Sequence, residues 1–336
     1  MAIKVAINGF GRIGRLVLRA LVESGRRDIE VVAINDLGTV EANAHLLQYD
    51  SIHGTLPQKV RHTGRSLRIG SGKPIKVFAE RDPSKLPWGD LGVDVALECT
   101  GLFTRRPDAA KHIEAGAKRV LVSAPADGAD LTVVYGVNHK KLRKSHKVVS
   151  NASCTTNCLA PVAFILDRKC GIARGFMTTI HAFTGDQRPH DTLHSDPRRA
   201  RAATLSMIPT STGAARAVGL VLPHLAGKLD GTAVRVPTPN VSLIDFVFEA
   251  KRRVEARELN AAITRAAEGT LKGILGTTDR PLVSVDFNHD ARSSVFDLTQ
   301  TQITGGRLVR VLSWYDNEWG FANRMCDTAA ALGRLG

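Results

Sequence analysis

Residues 3–15 read Ile3-Lys4-Val5-Ala6-Ile7-Asn8-Gly9-Phe10-Gly11-Arg12-Ile13-Gly14-Arg15. An apolar strand pattern runs into three glycines spaced Gly-x-Gly-x-x-Gly, and a helical pattern then continues to Ser24. Such glycines allow a tight turn, close approach of a pyrophosphate and tight packing of helix on strand. An anion is favoured at the helix start, where free N–H groups and the helix dipole point toward it. Asp36 follows the next strand pattern, Glu30–Ile34, 22 residues after Gly14. A carboxylate there accepts hydrogen bonds from a ribose 2′-hydroxyl and repels a 2′-phosphate. Strand, glycines, helix and acid together predict a dinucleotide-binding unit with Gly9, Gly11 and Asp36 in contact with the ligand.

The pattern extends outward from that unit. Val93–Glu98, Arg119–Ser123 and Lys147–Ser150 read as further strands, and Thr39–Leu47 and Pro107–Ala115 as helices. Strands alternating with helices specify a parallel sheet covered on both faces, a Rossmann-type doubly wound α/β domain. Lys59–Val77 is turn-rich and alternating, which suits an antiparallel excursion. Beyond Asn151 the strands lengthen: Phe176–His181, Gly231–Val236, Ser242–Ala250, Leu282–Phe287 and Leu308–Trp314. They predict an α+β domain with a mixed or antiparallel sheet, with helices over Ser211–Val221 and Ala256–Glu268 lying on it. Asn317–Leu335 reads as a helix whose Ala-rich face returns to the first domain. The expected boundaries are therefore 1–151 plus the C-terminal helix 317–336, and 152–316. The stretch 187–209 lacks periodicity and carries charges and prolines; so long a loop in a compact domain is more often functional than idle.

A chain of 336 residues can bury two cores. Its longest apolar runs, such as Cys158–Leu166, fall short of the ~20 residues a spanning helix needs. The N-terminus enters a strand without a signal-like apolar core and cleavage site, which predicts a cytoplasmic protein. Five cysteines make no disulfide framework in so long a chain. The net charge of +14 invites a nucleic-acid reading. The basic residues are scattered over Arg26-Arg27, Lys140–Lys147, Arg198–Arg201 and Lys251–Arg253 without interleaved aromatics, so a solvated surface that steers anionic substrates is the better reading.

Ser150-Asn151-Ala152-Ser153-Cys154-Thr155-Thr156-Asn157-Cys158 follows the last strand of the first domain and leads into an apolar helical run. Cys154 thus falls at a helix start, where a thiolate is stabilised. Cys158, one turn further in, suits a small buried thiol. A metal site from this pair is not expected, because no second Cys or His pair stands at matching spacing. Pro161 should kink that helix or confine its regular part. His181 ends a strand pattern and precedes the long loop, and an imidazole beside a thiol supplies the base that activates it. Ser211-Thr212-Gly213 at a helix start, together with Arg235, Arg198, Arg199 and Arg201, offers hydroxyls, amides and guanidinium forks suited to phosphate.

At these residues the sequence closely resembles the glyceraldehyde-3-phosphate dehydrogenase family over essentially the whole chain. The likeness rests on Ala6–Arg15, Glu98–Gly101, Ser150–Cys158, Pro209–Ala215, Arg235–Ser242 and Trp314–Gly320. It implies that Cys154 is the nucleophile and His181 its base and oxyanion partner. It further implies that Thr184 and Arg235 hold the substrate phosphate, and that Ser153, Thr155, Thr212, Gly213 and Arg199 receive inorganic phosphate. Arg12, Ile13, Asp36, Arg81, Ser123 and Asn317 would contact NAD. The loop from about Thr184 to Ile208 resembles the family's S-shaped loop, which implies a homotetramer. Ser284–Asp290 and Leu86-Pro87-Trp88 are also similar to the sister erythrose-4-phosphate dehydrogenases, the alternative activity. Thr184 and Ser211-Thr212-Gly213 look like the glycolytic enzyme.

Overall fold

The computed structural model describes residues 2–336 and divides the chain into two compact units. One takes in the chain up to Tyr135, His139–Ala152 and Ala322–Gly336; the other comprises Gly136–Asn138 and Ser153–Phe321.

In the first unit a nine-stranded sheet runs in the order Leu131–Thr132, Val148–Ser150, Arg119–Val122, Val95–Glu98, Ile3–Asn8, Ile29–Asn35, Ile75–Phe78, Ser66–Ile69, Val60–Thr63. The first seven are parallel to their neighbours. The last two turn back antiparallel, the excursion expected over Lys59–Val77. Strand Ile3–Asn8 pairs with Ile29–Asn35 on one side and with Val95–Glu98 on the other. The strand order therefore reverses beside it, and the crevice at the C-terminal strand ends is where such sheets bind ligands. Val5, Ala6 and Ile7 are fully buried, as a strand covered on both faces requires. Helix Arg12–Glu23 buries Leu16, Val17, Ala20 and Leu21.

In the second unit the sheet order is Ile208–Ser211, Leu229–Val236, Ile172–Ala182, Ser242–Ala250, Leu308–Tyr315, Ser294–Asp297, Leu275–Thr278, with Gln302–Thr304 also on Leu308–Tyr315. Two pairs are parallel and the rest antiparallel, so the sheet is mixed. Helices Cys154–Cys170, Ala214–Val221 and Ala256–Glu268 pack on its strands.

Three local expectations need correction. Leu282–Phe287 is not a strand: Asp286 accepts a hydrogen bond from the Val283 N–H at 2.8 Å, and Ser284–Phe287 coils into a 3-10 turn. The helix read from Ser211 begins at Ala214, because Ile208–Ser211 is a strand on Leu229–Val236. Pro161 does not confine the regular part of its helix, which is continuous over Cys154–Cys170 with Pro161 buried inside it.

Candidate active site

In the first unit, Gly9, Gly11, Asp36, Arg81 and Thr100 line one cavity of about 380 Å³. Gly9 has φ +87°, and a Cβ there would sit 2.6 Å from the Thr100 nitrogen. A Cβ on Gly14 would sit 2.1 Å from the Gly9 carbonyl oxygen. The protein's own atoms thus demand both glycines. Gly11 is different, since a Cβ there would meet nothing within 4 Å. It precedes the helix as its cap without offering a side-chain oxygen to the first amides. Open space at an uncapped helix start fits the phosphates of a dinucleotide. Asp36 is fixed by the strand end: one carboxylate oxygen accepts from Phe10 N at 2.8 Å and the other from Gly38 N at 2.8 Å.

The other residues expected at the nucleotide are placed as follows. Ile13 lies half-buried in the first turn of the helix. The Arg12 guanidinium pairs with Asp50 at 2.5 Å. Burial raises the Asp50 carboxyl, but hydrogen bonds from His53, Arg12 and Ile52 outweigh it and hold the pKa at about 2. Ser123 follows strand Arg119–Val122 and donates its N–H to the Glu98 carbonyl at 2.9 Å. Asn317 belongs to the second unit, where its Oδ1 accepts from the Ser242 hydroxyl at 2.9 Å.

In the second unit, Ser153 caps helix Cys154–Cys170: its hydroxyl oxygen accepts from Thr156 N at 3.0 Å. Cys154 is therefore the first helical residue. Its Sγ lies 3.6 Å from His181 Nε2. His181 is near the end of strand Ile172–Ala182 and is 4% exposed. Its Nδ1 lies 2.7 Å from the Ala182 carbonyl, which can only accept, and 3.1 Å from Arg235 Nη1, which can only donate and also bonds that carbonyl; the shorter contact assigns the proton to Nδ1 and turns the Nε2 lone pair toward the thiol.

Arg235 stands opposite His181 in the register of the two parallel strands. Its Nη1 donates to the Ala182 carbonyl at 3.0 Å and to the Thr184 hydroxyl at 3.4 Å. Burial, reinforced by the Arg235 charge, depresses His181 to about 3. Burial also raises the Cys154 thiol, against the pull of Arg235. Burial thus works against either charge standing alone, while the 3.6 Å contact sets the two groups to pass one proton between them.

Thr212 accepts from Ala214 N at 3.2 Å, and Gly213 caps helix Ala214–Val221 with open space where a Cβ would be. Arg199 donates to the Thr210 hydroxyl at 2.9 Å and to Asp186 at 2.9 Å. The structure thus brings Cys154, His181, Arg235 and Thr184 into one connected cluster. Thr155 turns inward instead: its hydroxyl bonds Tyr315 OH at 2.8 Å, and that phenol bonds Thr179 at 2.9 Å. The His181 and Tyr315 rings meet edge to face, with centroids 5.9 Å apart. Sequence reading gave Tyr315 no role, since a tyrosine at a strand end carries no signal of its own. Cys158 is fully buried with its sulfur 3.3 Å from Ser294 Oγ, as expected of an inert thiol.

A doubly wound nucleotide-binding unit joined to a mixed-sheet unit that carries a cysteine paired with a histidine beside Arg235 is the architecture of a nucleotide-dependent dehydrogenase. Residues 3–106 match the model of the glyceraldehyde 3-phosphate dehydrogenase NAD binding domain, and residues 153–317 that of its C-terminal domain. The chain is 69% identical to the glyceraldehyde-3-phosphate dehydrogenase of Xanthobacter flavus over 100% of both chains. It is 66% identical to that of Cereibacter sphaeroides, again over 100% of both. It is 57% identical to glyceraldehyde-3-phosphate dehydrogenase 1 of Bacillus subtilis, also over 100% of both. The chain belongs to the glyceraldehyde-3-phosphate dehydrogenase family.

Proposed function

We propose that this chain oxidises D-glyceraldehyde 3-phosphate to 1,3-bisphosphoglycerate, consuming NAD and inorganic phosphate and working through a covalent intermediate on Cys154. The observation that carries this reading is the 3.6 Å approach of Cys154 Sγ to a bare His181 Nε2 at a helix start.

Arg235 and Thr184 hold the substrate phosphate, the guanidinium giving charge and the hydroxyl direction. His181 Nε2 takes the thiol proton as Sγ attacks the aldehyde carbon, so the thiolate forms only when it is used. The alkoxide of the resulting thiohemiacetal is stabilised by the imidazolium N–H and the Cys154 backbone amide. When bound, NAD supplies the hydride acceptor that turns this adduct into a thioester; Gly9, Gly11, Arg12, Ile13, Asp36, Arg81 and Ser123 would hold it. Ser153, Thr212, Gly213 and Arg199 present inorganic phosphate to the thioester carbonyl. Thr155 supports the helix start from behind, its hydroxyl being tied to Tyr315. Cleavage then returns the cysteine and releases the acyl phosphate.

We further propose a cytoplasmic homotetramer. Among the described residues no helix is long and apolar enough to cross a membrane. Leu193, Leu205 and Met207 of the 183–207 loop are 100%, 81% and 75% exposed, and Phe176 is exposed on the sheet, which supports burial against other copies.

NADH formation, followed with and without inorganic phosphate, tests the activity. Sustained turnover is expected only with phosphate, and with higher kcat/KM for the triose than for erythrose 4-phosphate. Phosphate-independent turnover, or preference for the tetrose, contradicts it.

A further inference from the structure

Three adjacent parallel strands end in polar residues that the fold buries. Asn8, Asn35 and Glu98 are 1%, 4% and 1% exposed, and Asn8 is the register partner of both others. A buried carboxylate is tolerated only when its oxygens are saturated by donors. Here the side chains form one hydrogen-bonded rung across the sheet. Asn35 Nδ2 donates to Asn8 Oδ1 at 2.7 Å, and Asn8 Nδ2 donates to Glu98 Oε2 at 2.6 Å. His112 Nε2 lies 2.9 Å from the same Glu98 oxygen. Behind it, the Trp88 indole N–H, which can only donate, reaches His112 Nδ1 at 3.0 Å, so the histidine proton sits on Nε2 and is given to Glu98.

Each end of the rung holds a loop. Glu98 Oε1 accepts the Thr100 N–H at 2.8 Å and also the Thr100 hydroxyl. The Asn35 amide pairs with both backbone groups of Glu80, each at 2.8 Å. Thr100 and Glu80 both line the cavity at the strand ends, whereas Glu98, His112 and Trp88 do not.

We propose that Glu98 is a positioning residue for the nucleotide: its carboxylate, backed by His112 and Trp88 and continued by Asn8 and Asn35, couples the 99–103 loop to the 79–82 loop and sets the width of the cavity they share. The inference rests on that cavity being the NAD site. A glutamine at 98 would turn an N–H toward a group that also donates, and the rung would break at its charged member.

The test uses Glu98→Gln, His112→Gln and His112→Leu, with calorimetric NAD affinity, steady-state constants, and hydrogen–deuterium exchange of the full chain without cofactor. Glu98→Gln should weaken NAD at least tenfold, while kcat at saturating NAD and KM for the aldehyde stay within threefold. Exchange should quicken in both loops, although Glu98 touches only the first. His112→Gln, which keeps a donor toward Glu98, should lose less than threefold; His112→Leu should behave like Glu98→Gln. If Glu98→Gln fails to fold, Thr100→Val should show a smaller NAD loss with faster exchange in both loops. Unchanged NAD affinity, parallel losses in kcat and both KM values, or faster exchange confined to 99–103 would overturn the coupling. Failure of the unaltered protein to bind NAD would overturn the reading of the cavity, while exchange without cofactor still decides the coupling.

Discussion

Cys154 and His181 form a contacting pair in which burial works against each charge standing alone. The thiol is therefore activated by proton transfer during attack, and the base matters more than the helix start. His181→Asn should lower kcat by roughly 10²- to 10⁴-fold, the range for a lost general base. It should also slow alkylation of Cys154 by iodoacetamide at pH 7; an unchanged alkylation rate would argue for a standing thiolate. The same burial makes His181 a source of acid sensitivity. Its pKa falls from 6.5 in the unfolded chain to about 3 in the fold. As pH drops through that window the unfolded state takes up a proton that the folded state refuses, so stability present above pH 6.5 is lost toward pH 3. Urea midpoints measured at pH 7 and 4.5 should differ less in His181→Asn than in the unaltered protein.

Among elements, the glycine turn between strand Ile3–Asn8 and helix Arg12–Glu23 separates folding from binding. Gly14→Ala places a methyl against the Gly9 carbonyl and should destabilise by ~1–3 kcal/mol, as overpacking does. Gly11→Ala adds a Cβ that meets no protein atom within 4 Å, so its melting temperature should stay near that of the unaltered protein while KM for NAD rises at least tenfold. An equal drop in melting temperature for both would refute the distinction. This turn was legible because its spacing, its strand and Asp36 all lie within 36 residues of sequence. The second sheet was less so. Leu275–Thr278 and Ser294–Asp297 are four-residue strands paired to each other, too short for periodicity to register. Leu282–Phe287 shows apolar residues at strand-like spacing, but a single carboxylate, Asp286, bends it into a turn. The Cys154–His181 pairing is likewise invisible locally, being a contact across 27 residues fixed by a helix start and a strand end. The Glu98 rung joins residues up to 104 positions apart, and only sheet register reveals it.

For the whole molecule, the outward side of the mixed sheet carries Phe176 and Leu308, 51% and 49% exposed, among the cross-strand ion pairs Arg310–Asp245 and Arg307–Glu249. On the proposed homotetramer, Phe176→Asp should shift the sedimentation coefficient to that of a smaller species, and an unshifted value would place the contact elsewhere. The excess positive charge, +14 overall, fits a protein whose substrates are all anions. The central claim, a covalent relay through Cys154, is tested most directly by mixing the NAD-loaded protein with glyceraldehyde 3-phosphate in the absence of inorganic phosphate and recording intact mass together with NADH. A burst of about one NADH per chain with a phosphoglyceroyl adduct on Cys154, released on adding phosphate and absent in Cys154→Ser, is the predicted result for an acyl-enzyme route. NADH formation without an adduct, or an adduct that survives phosphate, would contradict it.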